Sequence, residues 1–317
     1  MVRIGLAFAL LNALNPIVQI GFGRIMNGLL PGWYYDNFLY FAVCLLPGYL
    51  IAMPVCWLVL QSVEKDPPLK APLGAKNFFC VVAVSLAAIE LGGLVGNWIS
   101  AILGFVVGRD LTNDVSDLIL SSDLGTVFLF VCVLAPIMEE LFFRKLLLDR
   151  VRRYGDRAAI LISALAFGLY HGNFYQFFYA FALGAVFAYV YLRTGKLRWT
   201  VGFHAGVNFL GSIAALVLSD MVDLNELIGI TDAEDALAFF AENAAGLLLN
   251  GLYALLLLGG TLAGIIVLAV RWKKLVLRPA VAAMPDRDTA RRVFVLNAGV
   301  LLYLVSCLFF FARSIFA

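Results

Sequence analysis

Glu139 and Glu140 stand side by side in a run that is otherwise oily enough to cross a bilayer. Thr126 to Met138 carries no charge, and Leu146-Leu147-Leu148 is apolar again. An ionised carboxylate at mid-membrane costs about 2.5–3.5 kcal/mol on insertion scales, so two in succession need partners or a function. The chain has two histidines, His171 and His204, and both lie in the apolar stretches that follow. In an antiparallel hairpin turning at Gly155, Glu139 lies 16 residues before the turn and His171 16 residues after it. At about 1.5 Å per residue, equal counts predict equal depth and nominate the two as partners. Glu140 and Arg144 are spaced i, i+4 with the acid first, the favourable order for a helical ion pair. That pairing neutralises one carboxylate and leaves Glu139, about 100° around the helix, to face the histidines. His204 and Asn208 share a face at i, i+4, and Gly202 and Gly206 predict a closely packed helix nearby. His204 lies nine residues beyond the Gly195 turn, shallower than His171 on its own count. The depths match if the Arg150–Arg157 tip projects about two turns further into the cytoplasm.

A carboxylate in an apolar site is a stronger base than one in water, which suits it to taking a proton. A Glu/His/His set (Glu139, His171, His204) could also bind zinc, but the H-E-x-x-H spacing is absent and Asn208 is a poor zinc ligand. The reading from another class is a proton-coupled transporter, with Glu139, His171, His204 and Glu90 as a relay. Such a protein is expected to carry an inverted repeat, and the second half has no counterpart of the glutamate pair. Plainer roles compete at each position: a packing ion pair for Glu140, interhelical hydrogen bonds for the histidines. Glu90 is an intramembrane acid that either packs against Arg24 or lines a groove. The run Tyr170, Phe174, Tyr175, Phe177, Phe178 and Tyr179 reads as an interface belt.

These side chains need apolar helices to position them. Of 317 residues, 63% are hydrophobic and 14% charged, well below the quarter charged of soluble domains. The expected fold is all-α, a polytopic membrane bundle of eight or nine transmembrane helices. Spans of about 20 apolar residues run Ile4–Leu30, Phe38–Leu60, Asn77–Gly108, Gly125–Leu148, Arg157–His171, Phe174–Leu192, Trp199–Leu218, Ala244–Val270 and Val293–Phe311. The first is the weakest, interrupted by Asn12, Asn15, Pro16 and Arg24; Met1 to Leu11 superficially resembles a signal peptide, but without a clean cleavage site it reads as a first helix. Pro47 and Pro54 predict kinks in the second. Gly92-Gly93-x-x-Gly96 predicts close packing in the third. With the N-terminus cytoplasmic, 20 of the 23 Lys and Arg fall inside, and the acidic stretch Asp220–Asn243 falls outside. The net charge of +2, with Lys and Arg clustered between spans, is a topology signal and gives no nucleic-acid surface. Five cysteines without C-x-x-C spacing predict neither a disulfide frame nor a thiolate metal site. The chain divides into N-terminal helices (1–124), a core (125–218), and an acidic loop with C-terminal helices (219–317).

Glu139-Glu140-x-x-x-Arg144, Phe167-x-x-x-His171 and His204-x-x-x-Asn208, in that order, resemble the three motifs of the CAAX protease and bacteriocin-processing family, whose eukaryotic relatives are the type II CAAX prenyl endopeptidases. The resemblance covers roughly Gly125 to Leu218. It implies an intramembrane peptidase acting on a membrane-associated peptide, prenylated or a leader. Glu139 matches the family's catalytic glutamate, His171 its histidine partner, and His204 with Asn208 the pair that stabilises the oxyanion. Glu140, Arg144 and Phe167 match supporting positions. Glutamate-activated water without a cofactor is the favoured route, with zinc as the alternative. The expected setting is a bacterial inner membrane, with the active site toward the cytoplasm and the lipid bilayer as a partner.

Overall fold

The computed structural model describes residues 1–280 and 287–316, and among them every regular element is a helix. Eight helices are long and apolar enough to cross a membrane. In chain order with the 15-residue helix Asp156–Tyr170, we label them α1 (Val2–Leu29), α2 (Asn37–Leu60), α3 (Ala75–Val107), α4 (Leu124–Tyr154), α5 (Asp156–Tyr170), α6 (Phe174–Thr194), α7 (Leu197–Ser219), α8 (Ala244–Lys274) and α9 (Ala298–Phe316). The expected bundle of eight or nine spans is present. The ambiguity lies at α5, whose 15 residues reach about 22 Å against a hydrocarbon core of about 30 Å.

The predicted weakness of the first span is resolved by partners. α1 runs unbroken through Pro16, and its polar side chains turn onto neighbouring helices. Asn12 donates to Ser306 Oγ (2.9 Å) and Cys307 Sγ (3.4 Å) on α9, and Gln19 donates to the Cys44 carbonyl on α2. Gly5 and Gly299 let the α1 and α9 backbones touch, since a Cβ on either would collide with the other's main chain. In α2 the two prolines flank a wide i→i+5 segment, Gly48–Ala52. Gly92 and Gly96 of α3 accept the α6 backbone at Tyr179 and at Phe174 and Tyr175, as the small-residue spacing predicts, whereas Gly93 faces open space.

One expectation is corrected. The last span does not begin at Val293. Arg287–Phe294 is a separate short helix, and Asn297, which accepts from Val300 N–H at 3.1 Å, starts α9 afresh. The aromatic run of α5 and α6 is half-buried. Phe174 and Phe177 pack on Phe311 at 4.8 and 5.7 Å, Tyr175 donates to the Leu111 carbonyl at 2.7 Å, and Tyr170 packs on Phe143 at 5.4 Å.

α4 carries the glutamate pair. Asp123 caps its start by accepting from Thr126 N–H at 2.9 Å. The helix then widens twice, over Phe128–Leu134 and Leu141–Leu148, and between these segments Ala135–Glu140 is regular α-helix. Wide turns of this kind concentrate at functional sites. Beneath the site the Pro-rich loop between α2 and α3 is stitched down at both ends, Asp66 N–H to Asp149 O (2.6 Å) and Ala71 N–H to Thr194 O (2.8 Å).

Candidate active site

Arg144 is fully buried and each of its nitrogens is answered. Nε and Nη2 grip Glu140 at 2.9 and 3.3 Å, and Nη1 donates to Ser163 Oγ at 2.6 Å. Its plane lies over the Phe167 ring, 5.2 Å from the centroid. The i, i+4 pairing read from the sequence is present, in the two-pronged geometry that suits guanidinium to carboxylate.

His204 enters between the two glutamates. Its Nδ1 lies 3.2 Å from Glu140 Oε1 and its Nε2 3.8 Å from Glu139 Oε2. Phe167 at 5.6 Å and Phe187 at 5.7 Å hold the ring from two sides. His204 on α7 therefore reaches Glu139 on α4.

Glu139 and His171, nominated as partners by their spacing, make no direct bond. Among the described residues no hydrogen bond or ion pair joins those two. His171 Nδ1 instead approaches the Phe167 carbonyl at 2.8 Å, and its ring packs on the Phe167 edge at 5.1 Å. The Phe167 ring thus touches both imidazoles. A carbonyl accepts only, so His171 Nδ1 carries a proton and Nε2 is left as the acceptor face of the neutral ring.

Asn208 lies one turn beyond His204 and donates through Nδ2 to the Val131 carbonyl on α4 at 2.8 Å. The other half of the α7 expectation is not met among the described residues: outside α7 itself, none has an atom within 4 Å of where a Cβ on Gly202 or Gly206 would sit.

Among the described residues no group of three His, Cys, Asp or Glu is placed to hold a metal ion. Glu90 forms no ion pair with Arg24, and no bond joins it to Glu139, His171 or His204 among the described residues, so the four-member relay is not assembled.

Ser163 and Phe187 were missed. Ser163 also donates to the Phe143 carbonyl at 3.2 Å, locking α5 to α4 behind the guanidinium. It is the one hydroxyl in an otherwise apolar stretch of α5, a signal that could have found it. Phe187 carries no signal, since nothing separates it from any other core aromatic.

Residues 122–210 match the model of a family described as Type II CAAX prenyl endopeptidase Rce1-like. YdiL of Bacillus subtilis (strain 168), described as a candidate membrane peptidase, is 24% identical over 165 residues, 51% of this chain and 66% of the relative. The match thus spans just under two thirds of that relative's length. No solved structure matches the chain significantly.

Proposed function

We propose that the chain is a member of the CAAX protease and bacteriocin-processing family and an intramembrane endopeptidase that hydrolyses a peptide bond of a membrane-associated peptide. The observation that carries the reading is the division of the two glutamates. Glu140 is held by Arg144 as well as His204, while among the described residues the one ion pair of Glu139 is to His204 at 3.8 Å. Two carboxylates against one guanidinium leave one negative charge, the condition for a proton that moves among Glu139, its imidazole neighbours and a reacting group.

In the proposed reaction Glu139 takes a proton from water as the water oxygen attacks the peptide carbonyl carbon. Negative charge develops on the carbonyl oxygen, where N–H donors from His204 and Asn208 stabilise it; one such donor is typically worth about 3–4 kcal/mol. The intermediate collapses, the C–N bond breaks, and the leaving nitrogen takes the proton that the water gave up. His171, with Nε2 as its free acceptor, is the second group that can hold that proton. No metal enters this scheme. A prenylated tail and a leader peptide both satisfy its chemistry. We assign the site to the cytoplasmic half of a bacterial inner membrane. His204 lies seven residues from the Leu197 end of α7, and positive charge concentrates on that side.

Mass spectrometry of membrane peptides tests the reading, comparing cells with the wild-type chain and with Glu139→Ala. Substrate peptides should shorten only with the wild type; identical profiles refute a peptidase.

A further inference from the structure

We propose that Pro136 is a positioning residue: it strips the Val131 carbonyl of its helical donor, so that Asn208 is held by one amide proton and presents the other to the reacting carbonyl. The first half stands on geometry alone, and the second rests on the peptidase reading.

In the wide segment Phe128–Leu134 the chain bonds i→i+5, and Ala135 N–H goes to the Phe130 carbonyl. Continued by one residue, that register assigns Pro136 as the donor to Val131, and proline has no N–H. A carbonyl inside a bundle cannot be left to lipid and must find a donor elsewhere. Asn208 supplies it from another helix, 77 residues away in sequence, at 2.8 Å. A primary amide has two N–H groups, and this bond uses one. The amide plane is thereby fixed, and the second N–H is aimed by the first.

The sequence positions connect this tie to the chemistry. Pro136 precedes Glu139 by three residues, on the same face of α4, and Asn208 follows His204 by four on α7. The link from Val131 to Asn208 thus joins the helix that carries the base to the helix that carries the donors. At its other end the Asn208 carbonyl accepts from Ser212 Oγ at 2.6 Å, and Cys132 Sγ lies 3.6 Å from that hydroxyl.

A double-mutant cycle of Pro136→Ala and Asn208→Ala in the full chain tests both halves. Alanine at 136 restores a backbone donor. Asn208→Ala alone should lower Tm and kcat. In the Pro136→Ala background the same change should leave Tm nearly unmoved, because the carbonyl no longer depends on the amide. Pro136→Ala alone should fold at least as well as wild type, keep KM, and lose at least tenfold in kcat. An equal Tm loss in both backgrounds overturns the orphaned carbonyl; full kcat in Pro136→Ala overturns the positioning role. A wild-type chain inert toward every peptide refutes the peptidase reading, and the positioning half with it, while leaving the Tm cycle intact as a test of the first half. If Pro136→Ala does not fold, isotope-edited infrared spectroscopy of the Val131 carbonyl replaces it. Its band should rise in frequency in Asn208→Ala, and an unmoved band overturns the tie.

Discussion

A guanidinium sealed inside a bundle needs a partner at each nitrogen, and Arg144 finds them in Glu140 and Ser163, with the Phe167 face against its plane. Glu140→Gln leaves that cation without its carboxylate, and stranding one charge of a buried pair costs about 3–5 kcal/mol. Yield and Tm should fall first, Glu140→Gln with Arg144→Met should recover part of the loss, and activity should fall only as far as folding does. Glu139→Gln keeps shape and removes the base, so cleavage should collapse while Tm stays within a few degrees of wild type. A stable, inert Glu140→Gln beside an active Glu139→Gln would reverse the two roles. Ser163→Ala removes a neutral partner from a charged donor and should cost about 1–3 kcal/mol, read as a lower thermal midpoint. The pair Glu140 and Arg144 was legible because both lie within one turn of one helix. The meeting of Glu139 with His204 was legible only conditionally, since it depends on how α4 and α7 sit against each other in depth.

Helix contacts make sharper tests than helix boundaries do. Gly92 and Gly93 are neighbours of identical type in α3, yet only Gly92 lies against another backbone, that of Tyr179. Gly92→Ala should separate α3 from α6 and reduce the yield of folded protein. Gly93→Ala meets nothing and should be neutral, or gain about 0.5–1 kcal/mol from the helical preference of alanine. Gly202→Ala and Gly206→Ala should behave like Gly93→Ala. Thermal melts of the four variants in detergent decide the matter. Small-residue spacing alone could not distinguish the α3 glycines from those of α7. What a glycine touches is set by the neighbouring helix, and that neighbour lies elsewhere in the sequence. The start of α9 was misjudged for a related reason. Val293 and Phe294 continue the apolar run, but the side chain of Asn297 offers the backbone a fresh N-terminus.

Charge distribution predicts the orientation of the whole bundle. Cysteines introduced singly, in a chain cleared of its five native ones, should label from outside between Asp232 and Asn243, and from the cytoplasm at Lys70 and Lys196. Labelling of the acidic stretch only from the cytoplasm would invert the topology. Purified protein should carry well under one equivalent of zinc and cleave unchanged in chelator; stoichiometric metal lost together with activity would require His171 and His204 to move together.

The first helix is completed by the last. The Asn12 amide finds its acceptors on Ser306 and Cys307, and the glycine that admits α1 to close packing is Gly299. During synthesis α1 leaves the ribosome nearly three hundred residues before those partners exist. Throughout that interval Asn12 must stay hydrated, sheltered by the insertion machinery, or bonded to a temporary neighbour. The bundle therefore closes as a ring whose final join is made only when α9 arrives. Chains truncated before Ala298 should remain associated with the insertion machinery, and Asn12→Leu should release them early.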